Sequence, residues 1–541
     1  MVSAVTRPLN STRAVVLLMT AGVLSTTAFW LFVRPAVFDD AFISFRYAKN
    51  LAEGHGLVYN VGERVEGFTN LFWTLLAAVA LRVGFDPLRA SRIVGLVCLL
   101  ATAGAVLWIW LRAQEGNPRL LWSGALLCLL VTGPYGMTAL AVSGLETSLV
   151  ALMAVLLPIL FFFPTAERSM GRDIAGSVAA LTATATRLDT ALIPTTALLL
   201  DVLLLLIASP RSSRLETKRL LVRHAGWIAG TIAITVGRWA YYGDLLPNSY
   251  YAKAADVSHW RAGVVYLGGF VRNSPYVLVL CGCVIGTVVL WWRSPFRLFM
   301  LQGMISFGLF CIYVAKVGGD FMYYRFMAEI LPVLIAGAVI AFMLIERARP
   351  SAARALALGC LVLGAAPPYL ERSYGMQSLG EMTISYRVGR VVGERLQAAL
   401  PRDTVISTSL AGTMAYFSDL RVVDELGLND RYTARLPTPP LFARGHVKHA
   451  PIDYLALQDV NLQFGHPTIC SCSAPCTQRA PSVFIRLNGD ECVGAAYLVQ
   501  TPELTRYFCS QPATFVLQNV VCASLRQELR PLGGHTPGEG D

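Results

Sequence analysis

Charge is scarce in this sequence. Of 541 residues only 15% are Asp, Glu, Lys or Arg, and histidine occurs seven times. With 55% hydrophobic residues and a mean hydropathy of +0.54, the composition excludes a soluble enzyme. It describes a polytopic membrane protein with one sizeable polar part. No persuasive small-residue cleavage site follows the first apolar run, so that run is expected to be a retained span rather than a cleaved signal. No internal repeat of the kind expected of transporters is visible. A CxxC…CxxC pattern and a well-spaced His pair are missing too, which disfavours structural zinc. The net charge of +11 could suggest nucleic acid. Most basic residues before the last third, however, lie in short connectors between apolar runs, where they signal orientation.

Cysteine divides by region. Cys98, Cys128, Cys281, Cys283, Cys311 and Cys360 lie in or beside apolar runs, as buried thiols do. Cys470, Cys472, Cys476, Cys492, Cys509 and Cys522 cluster in the polar tail, where an exported domain would join them into up to three disulfides.

Eleven spans are expected, near residues 14–33, 93–111, 121–139, 148–163, 174–186, 192–207, 225–241, 276–292, 298–317, 326–345 and 355–366. Leu71–Leu81 is apolar but covers roughly 16 Å against a hydrocarbon core of about 30 Å, so it reads as an interfacial or re-entrant helix. With that choice the basic connectors, above all 211–223, fall on the cytoplasmic side together with the N-terminus. The acid-bearing motifs then fall outside, as does the tail. The connector 242–271 reads as an outer loop. Residues 1–371 form the expected membrane catalytic domain and 372–541 an extracytoplasmic domain. In the latter, Tyr386–Leu400 has helical spacing, Asp403–Thr408 and Leu420–Asp424 read as strands around the connector Ala411–Tyr416, and Cys470–Cys476 reads as loop. Pro531–Asp541 is Gly/Pro-rich and expected to be disordered. The fold class is thus an α-helical polytopic membrane protein with a C-terminal α/β domain.

The richest polar stretch follows the first span: VFDDAFISFRYAKNLAEGHGLVYNVGERVEGFTN, Val37–Asn70. Carboxylates at the end of a membrane helix are costly unless water, partners or a substrate meet them. Sugar transfer from a lipid phosphate needs a carboxylate base for the acceptor hydroxyl and cations for the departing phosphate. Asp39 and Asp40 are the base candidates. Adjacent helical residues point about 100° apart, so one suffices, and the other could bind Arg46 or cap the following helix. Arg46, Glu63, Arg64, Glu66 and Asn70 are candidates for the same cavity; an ion-paired surface loop is the equal alternative for Glu63, Arg64, Glu66 and Asn70. Glu146 and Asp320 are further outward acids that could bind sugar hydroxyls, with helix capping as the alternative. Arg187, Lys253 and Arg325 are the candidate phosphate cations; snorkelling at the interface competes for the first two. Asp189 could orient Arg187. Asp39, Asp40 and Glu146 leave a divalent cation open, although no ligand spacing demands one.

At these residues the chain resembles a known family. FDDAFISFRYAKNLAEGHGLVYNVGERVEGFTN, SGLET, YYGDLLPNSYYAK, VGGDFMYYRFM and VDELGLND occur in this order across most of residues 38–430. Together they are similar to the arabinofuranosyltransferase B type of the GT-C superfamily, polyprenyl-phosphate-dependent enzymes of the mycobacterial envelope. The resemblance implies a GT-C fold of about eleven transmembrane helices with juxtamembrane helices, in a bacterial cell membrane. It assigns the catalytic acid to Asp39-Asp40 and places Glu63, Arg64, Glu66, Glu146, Lys253, Asp320 and Arg325 around donor and acceptor. It implies a decaprenyl-phosphate arabinofuranose donor and an arabinan-like acceptor. Where the family has Arg-Pro-Glu, this chain has Arg187-Leu188-Asp189. Beyond about residue 440 the resemblance ends, leaving another sugar or a protein acceptor open. A transporter or flippase of lipid-linked sugars is the competing class, but it calls for ionisable residues near mid-membrane and repeated halves.

Overall fold

The computed structural model describes residues 8–33, 36–115, 117, 119–164, 169–207, 213–254, 257–365, 377–438, 448–473 and 481–522. An apolar N-terminal helix, α1 (Pro8–Val33), leads into α2 (Asp39–Ala52), a short amphipathic helix with the two aspartates in its first turn. The apolar 71–81 stretch forms α3 (Leu71–Arg82), 12 residues and too short to cross a bilayer. Next is α4 (Pro87–Gln114), started by Pro87 at its first position and by the Asp86 side chain accepting from the Arg89 amide.

The expected span at 121–139 is broken instead. It consists of α5 (Trp122–Leu127), a 3-10 turn (Cys128–Val131) and α6 (Tyr135–Ala141). The break falls at Gly133-Pro134, where proline lacks an N–H and disfavours helix at the residue before it. Three helices follow: α7 (Thr147–Phe162), α8 (Met170–Thr186) and α9 (Leu192–Ile207). After α10 (Ser213–Tyr242) the expected outer loop holds two helices, α11 (Asn248–Ala252) and α12 (Trp260–Asn273). The second is amphipathic and meets α13 (Tyr276–Leu290) at 95°. The membrane part ends with α14 (Arg297–Val317), α15 (Arg325–Ala348) and α16 (Pro350–Ala365).

Among the described residues six helices are long and apolar enough to cross a membrane, and the α12–α13 pair is a bent seventh candidate. The expected spans on α7, α8 and α16 are helices of 16, 17 and 16 residues, about 24–26 Å long, just under the bilayer core. The centre of the bundle is α15, buried from Arg325 to Met343, with Arg325, Glu329 and Glu346 among its buried polar residues.

The C-terminal part opens with α17 (Leu379–Ala399), started by a capping box in which Ser378 and Glu381 satisfy each other's backbone amides. Then come β1 (Val405–Thr408), α18 (Thr413–Ser418), β2 (Arg421–Asp424), α19 (Arg431–Ala434) and α20 (Ile452–Leu457). Next are β3 (Leu462–Gln463), β4 (Ile469–Ser471), β5 (Ser482–Asn488), β6 (Glu491–Tyr497), α21 (Pro502–Ser510) and β7 (Phe515–Gln518). They build one mixed sheet in the order β2-β1-β3-β6-β5-β7, with β4 also on β6. The β1 strand pairs parallel with β2 and β3, and the remaining pairs are antiparallel. Part of the expected 470–476 loop is therefore strand, because Cys470 pairs in register with Cys492. Disulfides join Cys472 to Cys492 and Cys509 to Cys522, and Cys470 is also disulfide-bonded. Cys476, the 371/372 boundary and Pro531–Asp541 lie outside the described residues.

The two parts share a core through α2. Phe38, Ala41, Phe45 and Ala48 belong to the core built around the membrane helices, and Phe42 joins that core to the C-terminal part through its ring contacts with Tyr386, Tyr416 and Phe417. Ile43 and Tyr47 pack instead with Val392, Leu396, Ile406 and Met414 of the C-terminal domain, joined by Tyr59, Phe68 and Tyr242. The polar stretch 37–70 is thus a wedge between membrane bundle and sheet domain, apolar on both of its packed faces.

Candidate active site

The adjacent aspartates part company at the start of α2. Asp39 is buried and turned toward the sheet domain, where it accepts hydrogen bonds from the Gly412 amide (3.0 Å), the Thr413 amide (2.7 Å) and the Thr413 hydroxyl. It caps α18 from a position 374 residues earlier in the chain. A Cβ at position 412 would sit 1.9 Å from the Asp39 carbonyl oxygen, so this approach requires glycine. Burial pushes the Asp39 carboxyl up to about 6, against the hydrogen bonds from Thr413 and Gly412 that favour its charge.

The carboxylate of Asp40 accepts no hydrogen bond from the described residues. It lies in the field of Lys253 and Arg325 on one side and Asp320 and Glu146 on the other. Burial raises it above the usual carboxylate range, Asp320 and Glu146 raise it further, and the two cations oppose the shift.

Beneath Asp40 runs a connected polar ladder. The Ser44 hydroxyl donates to Asn70 Oδ1 (2.8 Å), and Asn70 Nδ2 donates to Glu146 Oε2 (2.8 Å). Glu146 then meets Arg187 Nη1 at 3.5 Å. Arg187 makes a two-pronged contact with Asp189 (3.0 and 2.5 Å) and reaches Glu329 at 3.1 Å. Its guanidinium also covers the Phe326 ring at 5.0 Å. One arginine thus faces three carboxylates, and its forked geometry lets it serve them together. The second cation, Arg325, pairs with Asp320 at 2.9 Å. Burial works against the Asp320 carboxyl, but Arg325, Lys253 and Arg187 hold it below its usual range. Nε of Arg325 and Oε2 of Glu329 are buried without a hydrogen-bond partner among the described residues. Unpaired buried polar atoms of this kind call for a ligand or water.

Asp40, Asn70, Glu146, Arg187, Lys253, Asp320 and Arg325 therefore converge, and Asp39, Arg46, Glu63, Arg64 and Glu66 do not. All three Arg46 nitrogens donate within the protein: to the carbonyls of Tyr59 (2.7 Å), Ala415 and Leu420 (2.6 Å), and to Asn60 Oδ1 (3.0 Å). Arg46 is a buried clamp on the sheet domain, not a group free for substrate. Glu63 pairs with Arg421 (2.9 Å) and Asn60 (3.0 Å), and Arg64 lies over the Tyr241 ring at 4.8 Å. Glu66 binds Arg238 at 2.5 Å; burial pushes its carboxyl up to about 7 while Arg238 opposes. These side chains fasten the wedge to its neighbours.

The site also contains Glu329, which the sequence reading overlooked. A lone acid in the apolar run MAEILPVLI was its signal, reinforced by Arg325 four residues earlier on the same helical face. No group of three or more His, Cys, Asp or Glu side chains arranged for a metal ion occurs among the described residues. The Asp39-Asp40-Glu146 set is not assembled, because Asp39 is turned to α18.

The fold is of the GT-C type. It matches ArnT of Cupriavidus metallidurans in its apo state, with a TM-score of 0.52 over 90% of this chain and 98% of that one, at 13% identity. The same protein bound to undecaprenyl phosphate matches with a TM-score of 0.53 over 89% and 97%, again at 13% identity. By sequence the chain is similar to a terminal beta-(1->2)-arabinofuranosyltransferase of Mycobacterium tuberculosis, at 32% identity over 45% of this chain and 39% of the relative. The protein of that name from Corynebacterium glutamicum is 26% identical over 61% of this chain and 51% of its own length. The chain thus spans about half or less of the length of these curated relatives. Residues 378–505 match a family described as a domain of unknown function, DUF8728.

Proposed function

We propose that this protein is a membrane glycosyltransferase that moves arabinofuranose from a polyprenyl-phosphate donor to an envelope glycan at the outer membrane face. The observation that carries the reading is Asp40: a carboxylate accepting no hydrogen bond, beside Lys253 and Arg325, above a buried polar ladder. Its raised affinity for protons suits a general base that takes the acceptor hydroxyl's proton as the new bond forms. Lys253, Arg325 and Arg187 supply positive charge for the departing lipid phosphate. Asn70, Glu146, Asp320 and Glu329 offer hydrogen bonds to sugar hydroxyls.

A groove of about 430 Å³ between α9 and α14, lined by Leu188, Leu192, Leu309 and Ile312 and bordered by Asp189 and Lys316, suits an isoprenoid chain whose phosphate meets the cations. The bound lipid phosphate of the ArnT neighbour and the names of the curated relatives support the same donor class and sugar. The tail disulfides support an extracytoplasmic sheet domain, since they persist in oxidising compartments.

The test is incubation of the purified protein with defined polyprenyl-phosphate sugars and a synthetic arabinan. Consumption of the arabinofuranose donor with chain extension is expected. Full activity in Asp40→Asn would discard the base assignment.

A further inference from the structure

We infer that a cavity of about 660 Å³ on the sheet domain is an acceptor subsite that holds a neutral oligosaccharide by stacking on Tyr432. The inference rests on the glycosyltransferase reading above and adds the place where the acceptor chain lies.

The cavity is formed by the wedge loop at Glu63 and Val65 together with α19 and α20. Tyr432 is the platform. One face of its ring is stacked on Tyr454, with centroids 4.1 Å apart and planes 20° from parallel. Yet Tyr432 is 50% exposed while it lines the cavity. A large ring held flat from behind and open in front presents a rigid apolar face at little conformational cost, and the C–H face of a sugar ring matches it.

The polar rim identifies the occupant's charge. Asp244 pairs with both Arg431 (2.9 Å) and Arg435 (2.7 Å), and Glu63 pairs with Arg421 (2.9 Å). Asp430 accepts from the Tyr454 hydroxyl (2.7 Å). The lining itself carries two acids, Glu63 and Asp430, and two bases, Arg431 and Arg435, with Arg421 and Asp244 as partners outside it, so it offers many hydrogen-bonding edges without a net field for an anion. A phosphate would find each guanidinium already paired. A neutral polyol could exchange hydrogen bonds with both signs.

The cavity is tied to the candidate active site by α11. Asn248 Nδ2 donates to the carbonyls of Gly427 (2.8 Å), Leu428 (3.1 Å) and Asp430 (3.1 Å), which holds α11 to the cavity floor. Arg435 lies over the Tyr251 ring at 4.6 Å. Two residues on is Lys253, whose charge acts on Asp40. The short helix α11 is thus fastened beside the stacking platform at its start and ends next to Lys253, one of the candidate phosphate cations.

The experiment titrates the full-length protein in detergent with a linear, uncharged arabinofuranosyl oligosaccharide, without lipid donor, by calorimetry. Tyr432→Ala should weaken binding about tenfold or more, and Tyr432→Trp should retain it. Wild-type affinity in Tyr432→Ala overturns the inference. Radical footprinting of the unmutated protein gives a readout independent of any variant's folding. Protection of Tyr432 by the oligosaccharide supports the subsite; protection by inorganic phosphate but not by the sugar overturns it. Because no donor is present, failure of sugar transfer would sink the functional reading without touching this result, and the converse also holds.

Discussion

Two neighbouring carboxylates with different partners should fail differently. Asp40→Asn removes a group that accepts no hydrogen bond from the described residues. Transfer is expected to fall by about 10²–10⁴-fold with the unfolding midpoint unchanged. Asp39→Asn instead disturbs the cap on α18, where three donors converge. It should lower stability by about 1–3 kcal/mol, with activity lost only through poorer docking. Thermal unfolding and transfer measured side by side would separate them, and identical profiles would contradict the assignment. Arg187 offers a harsher case. Arg187→Ala strands Glu146, Asp189 and Glu329 in a buried site and should cost about 3–5 kcal/mol. Adding Glu329→Gln should restore part of that stability, readable as a double-mutant cycle.

At the scale of elements, the joint is α2 against α18 and the turn after β2. Asp39 sits on one side of it. On the other, Asp424 accepts from the amides of Leu426 (2.9 Å) and Asn429 (2.8 Å) and from the Asn429 side chain (3.0 Å). Burial pushes both carboxyls up from an ordinary 3.8 to about 6, outweighing the hydrogen bonds that oppose it. The folded form thus holds protons that the unfolded chain has released. Stability contributed by these groups is fully present below about pH 4 and declines as pH rises to about 6, by at most about 3 kcal/mol per group. The unfolding midpoint should therefore fall between pH 4 and 6 on account of this joint, and Asp39→Asn should flatten that slope. An unaltered slope in the mutant would mean that Asp39 does not titrate with folding.

For the whole molecule the question is how the bundle and the sheet domain act as one body. They share apolar packing through Ile43, Tyr47, Tyr59 and Tyr242, so loosening the sheet domain should disturb the wedge carrying Asp40. Removing the Cys472–Cys492 bridge, which closes a separation of 20 residues, should cost about 2–4 kcal/mol and reduce transfer although it touches no proposed substrate group. Parallel loss of sheet-domain protection and activity on reduction would confirm the coupling. Sidedness has its own test: Met170→Cys, at the start of α8, should react with an impermeant thiol reagent only after the membrane is opened. Labelling of intact cells would invert the proposed topology.

Local pattern was enough for much of this chain. Apolar run length located the long helices, and the short run at 71–81 announced a helix that cannot cross. Periodicity in the tail marked α17, β1 and β2, because each element is specified by neighbours a few residues away. Motif order pointed to the polar island and to most of the groups that converge, Asp40, Asn70, Glu146, Lys253, Asp320 and Arg325; Arg187 stood out only as a cation between two apolar runs. Which aspartate faces the cluster was not legible, because the answer depends on Gly412 and Thr413 arriving from 374 residues downstream. The same holds for Arg46, spent on carbonyls of the sheet domain, and for the Tyr432 platform, made of helices that no local pattern brings together. Sequence by itself determined where chemistry-bearing residues are concentrated and which segments coil. Tertiary structure alone decided which of them remain available, since a buried polar group is committed or free according to the donors that packing brings within about 3 Å of it.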